Sequence, residues 1–250
     1  MSSHRDLLEQ GRTYEFLQVA TSLARRKLQR KKVDEALFIA SEGIKDLLSR
    51  GDKDSAVALL GVLEEALEAK TDMDIVQQIY VVLPPPHKFE FLKKVLKFCK
   101  APVLYVMLAS DYQEAEDYGN ACLNWVKSGQ VTGLVTCLKH LMTKGLAGEQ
   151  DLIVARAALQ LIAIKNLESA KEVLRHFSGI ESPILNFAKF LVQACELQQL
   201  ELVDVLKEKY APSLARDPNF SKYMQQIEHG IFGREPPANE MSSIFQFFRS

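Results

Sequence analysis

The chain has 250 residues, with 31 Lys and Arg against 32 Asp and Glu and a net charge of -1, which excludes a global electrostatic bias and by itself names no partner. A compact chain of this length buries roughly 75% of its extended-chain surface, so its core needs no disulfide or metal staples. Cys99, Cys122, Cys137 and Cys195 stand apart with no Cys-x-x-Cys pair, and read as reduced, buried thiols of a cytosolic protein.

Met1 to Leu8 has no long apolar region and no small-residue cleavage site, so no secretory signal is expected. No apolar run approaches the roughly 18 residues that read as a membrane span. The spacing predicts a first helix from Thr13 to Arg30, with Phe16, Ala20, Leu23 or Ala24, and Leu28 inward. Val33, Ala36, Leu37, Ala40, Ile44, Leu47 and Leu48 give a second, ending at Gly51 and pairing antiparallel with the first. Asp52 or Asp54 caps a third helix to Glu68, and Thr71 or Asp72 a fourth to about Leu83. Pro84-Pro85-Pro86 then reads as a stiff extended connector, not a domain boundary.

Helices are predicted next at Phe89 to Lys100 and Pro102 to Ala109. Ser110 to Gly129 reads as one further helix, with Tyr112, Ala115, Tyr118 or Gly119, Cys122 and Val126 on a stripe of aromatic and small residues. On that reading Ala115 lies at a close helix contact, and Trp125 fills the groove beside it. Val131 to Thr143 follows, then Glu149 to about Ile164, apolar almost all round and so placed deep. Leu167 to Phe177, Ser182 to Leu197, Leu200 to Tyr210 and Asp217 to Phe232 complete the array. No segment alternates as a strand does.

Gly11-Arg-Thr-Tyr-Glu-Phe, Lys31-Lys-Val-Asp-Glu-Ala and Lys165-Asn-Leu-Glu-Ser-Ala each open a helix after a short turn. That cadence marks a degenerate helical-hairpin repeat. The fold class expected is all-α, a TPR-like α-solenoid of about 13 to 15 helices over residues 1–233, its halves dividing near residue 110, with a tail from 234 to 250.

No Gly-x-x-x-x-Gly-Lys loop, Gly-x-Ser-x-Gly elbow or His-Glu-x-x-His helix occurs, and His4, His87, His140, His176 and His229 are scattered. A non-enzymatic binding protein without metal or cofactor is therefore expected. Two stretches rise above this background. Arg25-Arg-Lys-Leu-Gln-Arg-Lys-Lys32 puts six cations in eight residues at a helix end. It reads as helix capping, as a nuclear-import or nucleic-acid contact, or as a docking site for an acidic protein surface. The tail segment Ser242-Ser-Ile-Phe-Gln-Phe-Phe-Arg reads as packing back on the last helices, entering a partner groove or touching lipid.

Gly11, Tyr14-Glu15, Arg26, Lys32, Glu35-Ala36 and Gly43, then Val154-Ala-Arg-Ala-Ala-Leu-Gln and Lys165-Asn, carry a resemblance that the end of the chain makes specific. There stand Leu185-Asn-Phe, Tyr210-Ala-Pro-Ser-Leu-Ala-Arg-Asp-Pro, Tyr223, Phe232-Gly and Pro236-Pro237. The sequence resembles the Golgi-to-ER traffic protein 4 family, the α-solenoid scaffold of tail-anchored protein delivery. The resemblance implies that the N-terminal half docks the targeting ATPase, through Arg12, Arg26, Arg30, Lys31 and Lys32. It implies that the C-terminal half holds a ubiquitin-like co-adaptor or a chaperone scaffold, through Tyr210, Arg216, Tyr223 and Phe232. The link from Phe177 to Pro183 is shorter than the family's, whose insertion can help clasp the co-adaptor. A generic helical scaffold and a nucleic-acid-binding repeat are the alternatives; the second lacks a continued basic stripe with interleaved aromatics.

Overall fold

Asp52, Asp72, Asp117, Asn166, Ser182 and Asp217 each stand one residue before a helix and accept a bond from a backbone N–H two or three positions on. Each satisfies a donor that the helix itself leaves orphaned. In a computed structural model, residues 5–145 and 148–235 are described, so the expectations for His4, Pro236-Pro237 and the Met241 to Ser250 tail lie outside the described residues. Among the described residues there are fifteen α-helices and no strand.

The chain divides into two compact units, Met1–Lys100 and Ala101–Ser250. The first holds α1 (Arg5–Glu9), α2 (Thr13–Gln29), α3 (Val33–Ser49), α4 (Lys53–Ala69), α5 (Met73–Val82) and α6 (His87–Val95). Each helix packs on the next through α4, and α2 also meets α4, α3 meets α5, and α4 meets α6. This is the double row of a stacked-hairpin array. Gly43 of α3 lets α4 come close, since a Cβ there would lie 2.8 Å from Leu59 Cδ2.

The second unit holds α7 (Pro102–Glu114), α8 (Tyr118–Ser128), α9 (Val131–Lys144), α10 (Gln150–Ala163), α11 (Leu167–His176), α12 (Pro183–Glu196), α13 (Leu200–Lys209), α14 (Ala211–Leu214) and α15 (Pro218–Phe232). Its centre is α10, buried without a break from Ala157 to Ala163 and packed against α8, α9, α11, α12 and α15. A helix covered on so many sides must be apolar on all of them, as its sequence is.

One turn recurs through both units. Lys31, Glu116, Lys165 and Gln198 take left-handed conformations with φ of 58°, 58°, 65° and 54°, as glycines 11 and 51 do in equivalent places. The next residue's N–H then reaches back five positions: Lys32 to the Lys27 carbonyl at 2.9 Å, Asp117 to Tyr112 at 2.9 Å, Asn166 to Leu161 at 2.9 Å and Gln199 to Ala194 at 3.0 Å. This closure satisfies the last carbonyls of one helix and turns the chain sharply into the next. It is the physical content of the repeat.

The same turn corrects two expectations. Ser110 to Gly129 is not one helix: α7 runs through Ser110 to Glu114, Glu116 turns left-handed, and Asp117 caps a new helix at Asn120. Ala115 is therefore an exposed C-cap and not a contact between helices, so a Leu there would not overpack a core. Tyr112 and Trp125 are buried as expected, and the Trp125 indole N–H donates to Gln113 Oε1 at 3.0 Å. The three prolines likewise form a tight turn, with a cis Pro85–Pro86 bond and α6 starting directly at His87, in place of an extended connector. That turn lies inside the first unit.

Candidate functional site

The basic stretch lies where α2 ends and α3 begins. Ala20 and Ala24 of α2 and Ala36 and Leu37 of α3 are buried between helices, which leaves the intervening turn in solvent. Internal pairing then sorts the cations. Lys27 and Lys32 both donate to Glu35, and these bonds, Lys27 first, pull the Glu35 carboxyl down to about 2. Arg25 lies 3.6 Å from Glu65 of α4. Arg26 is exposed and, among the described residues, its side chain donates only to the Ser22 carbonyl of its own helix, at 3.3 Å. Arg30 and Lys31 are exposed and have no ion-pair partner among the described residues.

Four of the five residues expected to dock the ATPase, Arg26, Arg30, Lys31 and Lys32, thus share one end of the hairpin. Arg12 does not join them. It precedes α2, whose 17 residues span about 25 Å at 1.5 Å each, and its guanidinium is taken by Glu15 with Nε to Oε1 at 2.8 Å. Beside Arg26 runs an open groove of about 570 Å³, lined by Leu17, Gln18, Thr21, Ser22, Arg25 and Gln29 of α2 with Ala58 of α4. Of its polar members, Arg25 and Gln29 belong to the basic stretch, while Gln18, Thr21 and Ser22 were not singled out from the sequence. The signal was present, since Gln18, Thr21 or Ser22, Arg25 and Gln29 recur at three- and four-residue spacing opposite the buried alanines.

The four residues expected to hold a co-adaptor meet different fates. Tyr223 of α15 is 8% exposed, and its hydroxyl accepts a bond from buried Gln160 Nε2 at 2.8 Å. Burial pushes its hydroxyl pKa up. Its ring belongs to the core and not to the surface on this side. Arg216 clasps Asp151 of α10 with both terminal nitrogens, Nη1 to Oδ2 at 2.5 Å and Nη2 to Oδ1 at 3.1 Å. Tyr210, between α13 and α14, is half-buried with its ring 5.7 Å from that of Phe187. Phe232 is half-buried at the end of α15.

Further ion pairs tie the same region together. Arg156 of α10 bonds Asp217 through Nε at 2.9 Å and Nη2 at 2.6 Å. Glu228 of α15 accepts from Lys207 and Arg234, and Arg234 also reaches Asp204 at 2.7 Å. Burial raises the carboxyl pKa values of Asp151 and Asp217, yet both end below their ordinary value: Arg216 more than offsets it for Asp151, and the Asn219 N–H with Arg156 does so for Asp217.

Among the described residues no group of three or more His, Cys, Asp or Glu side chains could hold a metal ion, and no helix is long and apolar enough to cross a membrane. What the geometry leaves at the surface is a cationic hairpin end beside a groove and, around α14, the half-buried rings of Tyr210 and Phe232 with Arg216 engaged by Asp151.

Residues 30–249 match the family described as Golgi to ER traffic protein 4. The human Golgi to ER traffic protein 4 homolog is 28% identical over 93% of this chain and 79% of its own length, and the Bos taurus homolog gives the same values. The crystal structure of C. therm. Get4 superimposes with a TM-score of 0.73 at 20% identity, covering 94% of this chain and 90% of that one, which shows the shared α-solenoid fold. The chain belongs to the Golgi to ER traffic protein 4 family.

Proposed function

We propose that this chain is a non-enzymatic cytosolic scaffold in the delivery of tail-anchored membrane proteins to the endoplasmic reticulum. Its first unit docks the client-carrying ATPase, and its second holds an upstream co-adaptor or chaperone. The mechanism is spatial: a loaded chaperone and a nucleotide-bound ATPase kept on one scaffold exchange the client at high effective concentration.

The observation that carries the ATPase assignment is the sorting of charge at the α2–α3 turn. Glu35 and Glu65 engage Lys27, Lys32 and Arg25, while Arg26, Arg30 and Lys31 stay exposed without a carboxylate among the described residues. Unpaired cations on a rigid turn steer an acidic partner and fix its orientation at little ordering cost. Arg12 is left out of this surface because Glu15 occupies it. On the second unit the co-adaptor surface comprises Tyr210 and Phe232, and Arg216 is left out because Asp151 occupies it.

Calorimetry of the chain against the targeting ATPase, with and without ATP and magnesium, tests this reading. Binding should need nucleotide, weaken as salt is raised and be lost in Arg26→Glu/Lys31→Glu with the melting temperature unchanged. Full affinity in that variant at low and moderate salt would remove the turn from the docking surface. No binding under any nucleotide would remove the ATPase assignment.

A further inference from the structure

Cys122 of α8 and Cys137 of α9 meet across the hairpin with their sulfurs 3.0 Å apart, the Cys122 S–H donating to Cys137. Both are free thiols. A disulfide bond is about 2.0 Å long, so its formation needs the two sulfurs to close by about 1 Å. The two thiols differ in access: Cys122 is half-buried and Cys137 fully buried. Neither belongs to the docking surfaces described above. The other two cysteines are placed differently, since Cys99 lies 3.9 Å from Met73 Sδ and Cys195 is enclosed in α12.

We propose that Cys122 and Cys137 form a thiol–disulfide exchange site for a small-molecule disulfide of the glutathione type, Cys122 attacking and Cys137 resolving. In the first step the Cys122 thiolate bonds to one sulfur of glutathione disulfide, that S–S bond breaks, and one glutathione thiolate leaves and takes up a proton. In the second, the Cys137 thiolate bonds to the Cys122 sulfur, the mixed disulfide breaks, and the second glutathione leaves. Two protein thiols are oxidised, one glutathione disulfide is reduced to two thiols, and the two protons pass from protein to glutathione.

Access sets the order of the steps, because Cys122 is a partly exposed residue and Cys137 a fully buried one. The thiolate is the reacting species in such exchange. Their hydrogen bond pushes the Cys122 thiol up and holds the Cys137 thiol below its ordinary value, so the pair's first thiolate forms on Cys137, and Cys122 becomes the attacking thiolate when its proton passes to Cys137 across the 3.0 Å between the sulfurs. The product links α8 to α9 covalently. Because Cys137 Sγ also lies 3.5 Å from the Tyr118 carbonyl, the link falls at the first turn of α8.

The test is to equilibrate the full chain in glutathione buffers of rising disulfide content, quench in acid, alkylate and map the peptides by mass. The expected result is a reversible Cys122–Cys137 cross-link with Cys99 and Cys195 still alkylated. Cys137→Ser should accumulate one glutathione on Cys122, and Cys122→Ser should carry at least tenfold less on Cys137, with both variants checked for native melting. All four thiols remaining alkylatable across the oxidising range would overturn the proposal even if a serine variant failed to fold. A cross-link that joins a different pair would overturn it too. So would a folded Cys137→Ser chain that takes no glutathione on Cys122.

Discussion

The α2–α3 turn and the segment from α13 to α15 draw on the same residue types, cations with neighbouring carboxylates, and use them in opposite ways. At the turn, two carboxylates face a cluster of six cations, and Arg26, Arg30 and Lys31 are left to solvent. Around α15 the charges balance: Arg216 meets Asp151, Arg156 meets Asp217, and Lys207 and Arg234 share Glu228. Those carboxylates are buried while their cations remain partly exposed. The first arrangement leaves charge available to another molecule; the second uses it to fix helix against helix. A charged motif therefore reports a binding surface only where its counter-charges run out.

Stability measurements can break this contrast. The largest change is expected at Tyr223. Tyr223→Ala should cost about 3–5 kcal/mol, the range for a large aromatic side chain removed from a core. Tyr223→Phe keeps the ring and strips the acceptor from Gln160, so about 1–3 kcal/mol should be lost in urea melts. If Tyr223→Ala left the midpoint unmoved, Tyr223 would be a surface residue after all.

Next in size is Arg216→Ala, which leaves the buried Asp151 carboxylate without its cation. Because Arg216 is partly exposed, the loss should be about 1–2 kcal/mol, less than for a fully buried pair. The same pairs set an acid dependence. Asp151 and Asp217 have folded pKa values below those of the unfolded chain, so their contribution is complete above the unfolded value of about 4 and is lost as pH falls through the lower folded values. Asp217→Asn keeps an oxygen for the Asn219 N–H and gives up the charge facing Arg156. It should be less stable at neutral pH and lose less between about pH 5 and pH 2. An acid profile identical to that of the unaltered chain would show that the Arg156 pair contributes nothing.

The fold was legible wherever period and caps agreed. The apolar stripe of α3 and the all-round apolarity of α10 placed both helices in one reading, and Asp52 and Asp72 stood among the caps considered. Legibility failed at the left-handed turns. Glycine announces such a turn, but Lys31, Glu116, Lys165 and Gln198 adopt it with no side-chain signature. The helical stripe of Tyr112, Cys122 and Val126 thus seemed to run across Glu116 when the chain reverses there. The basic turn was legible as a run of cations, yet which of them stay unpaired among the described residues depends on Glu35, eight residues after Lys27, and on Glu65 of α4. Arg216 and Tyr223 show the converse, because partners 65 and 63 residues away give them structural work that no local pattern could signal.

The smallest effects separate the turn's geometry from its charge. A side chain in the left-handed region costs about 1–2 kcal/mol, and glycine returns part of that as chain entropy. Gln198→Gly should therefore stabilise by about 0.5–1 kcal/mol, and Lys31→Gly by a similar amount, because both close the same backbone turn. Only Lys31 is one of the unpaired cations, so only its replacement should also weaken ATPase docking. If both variants gain stability and Lys31→Gly alone loses affinity, the residue carries its charge for the partner despite a local strain. If neither gains stability, the left-handed turn is not strained at these positions, and the repeat is held by its helix contacts alone.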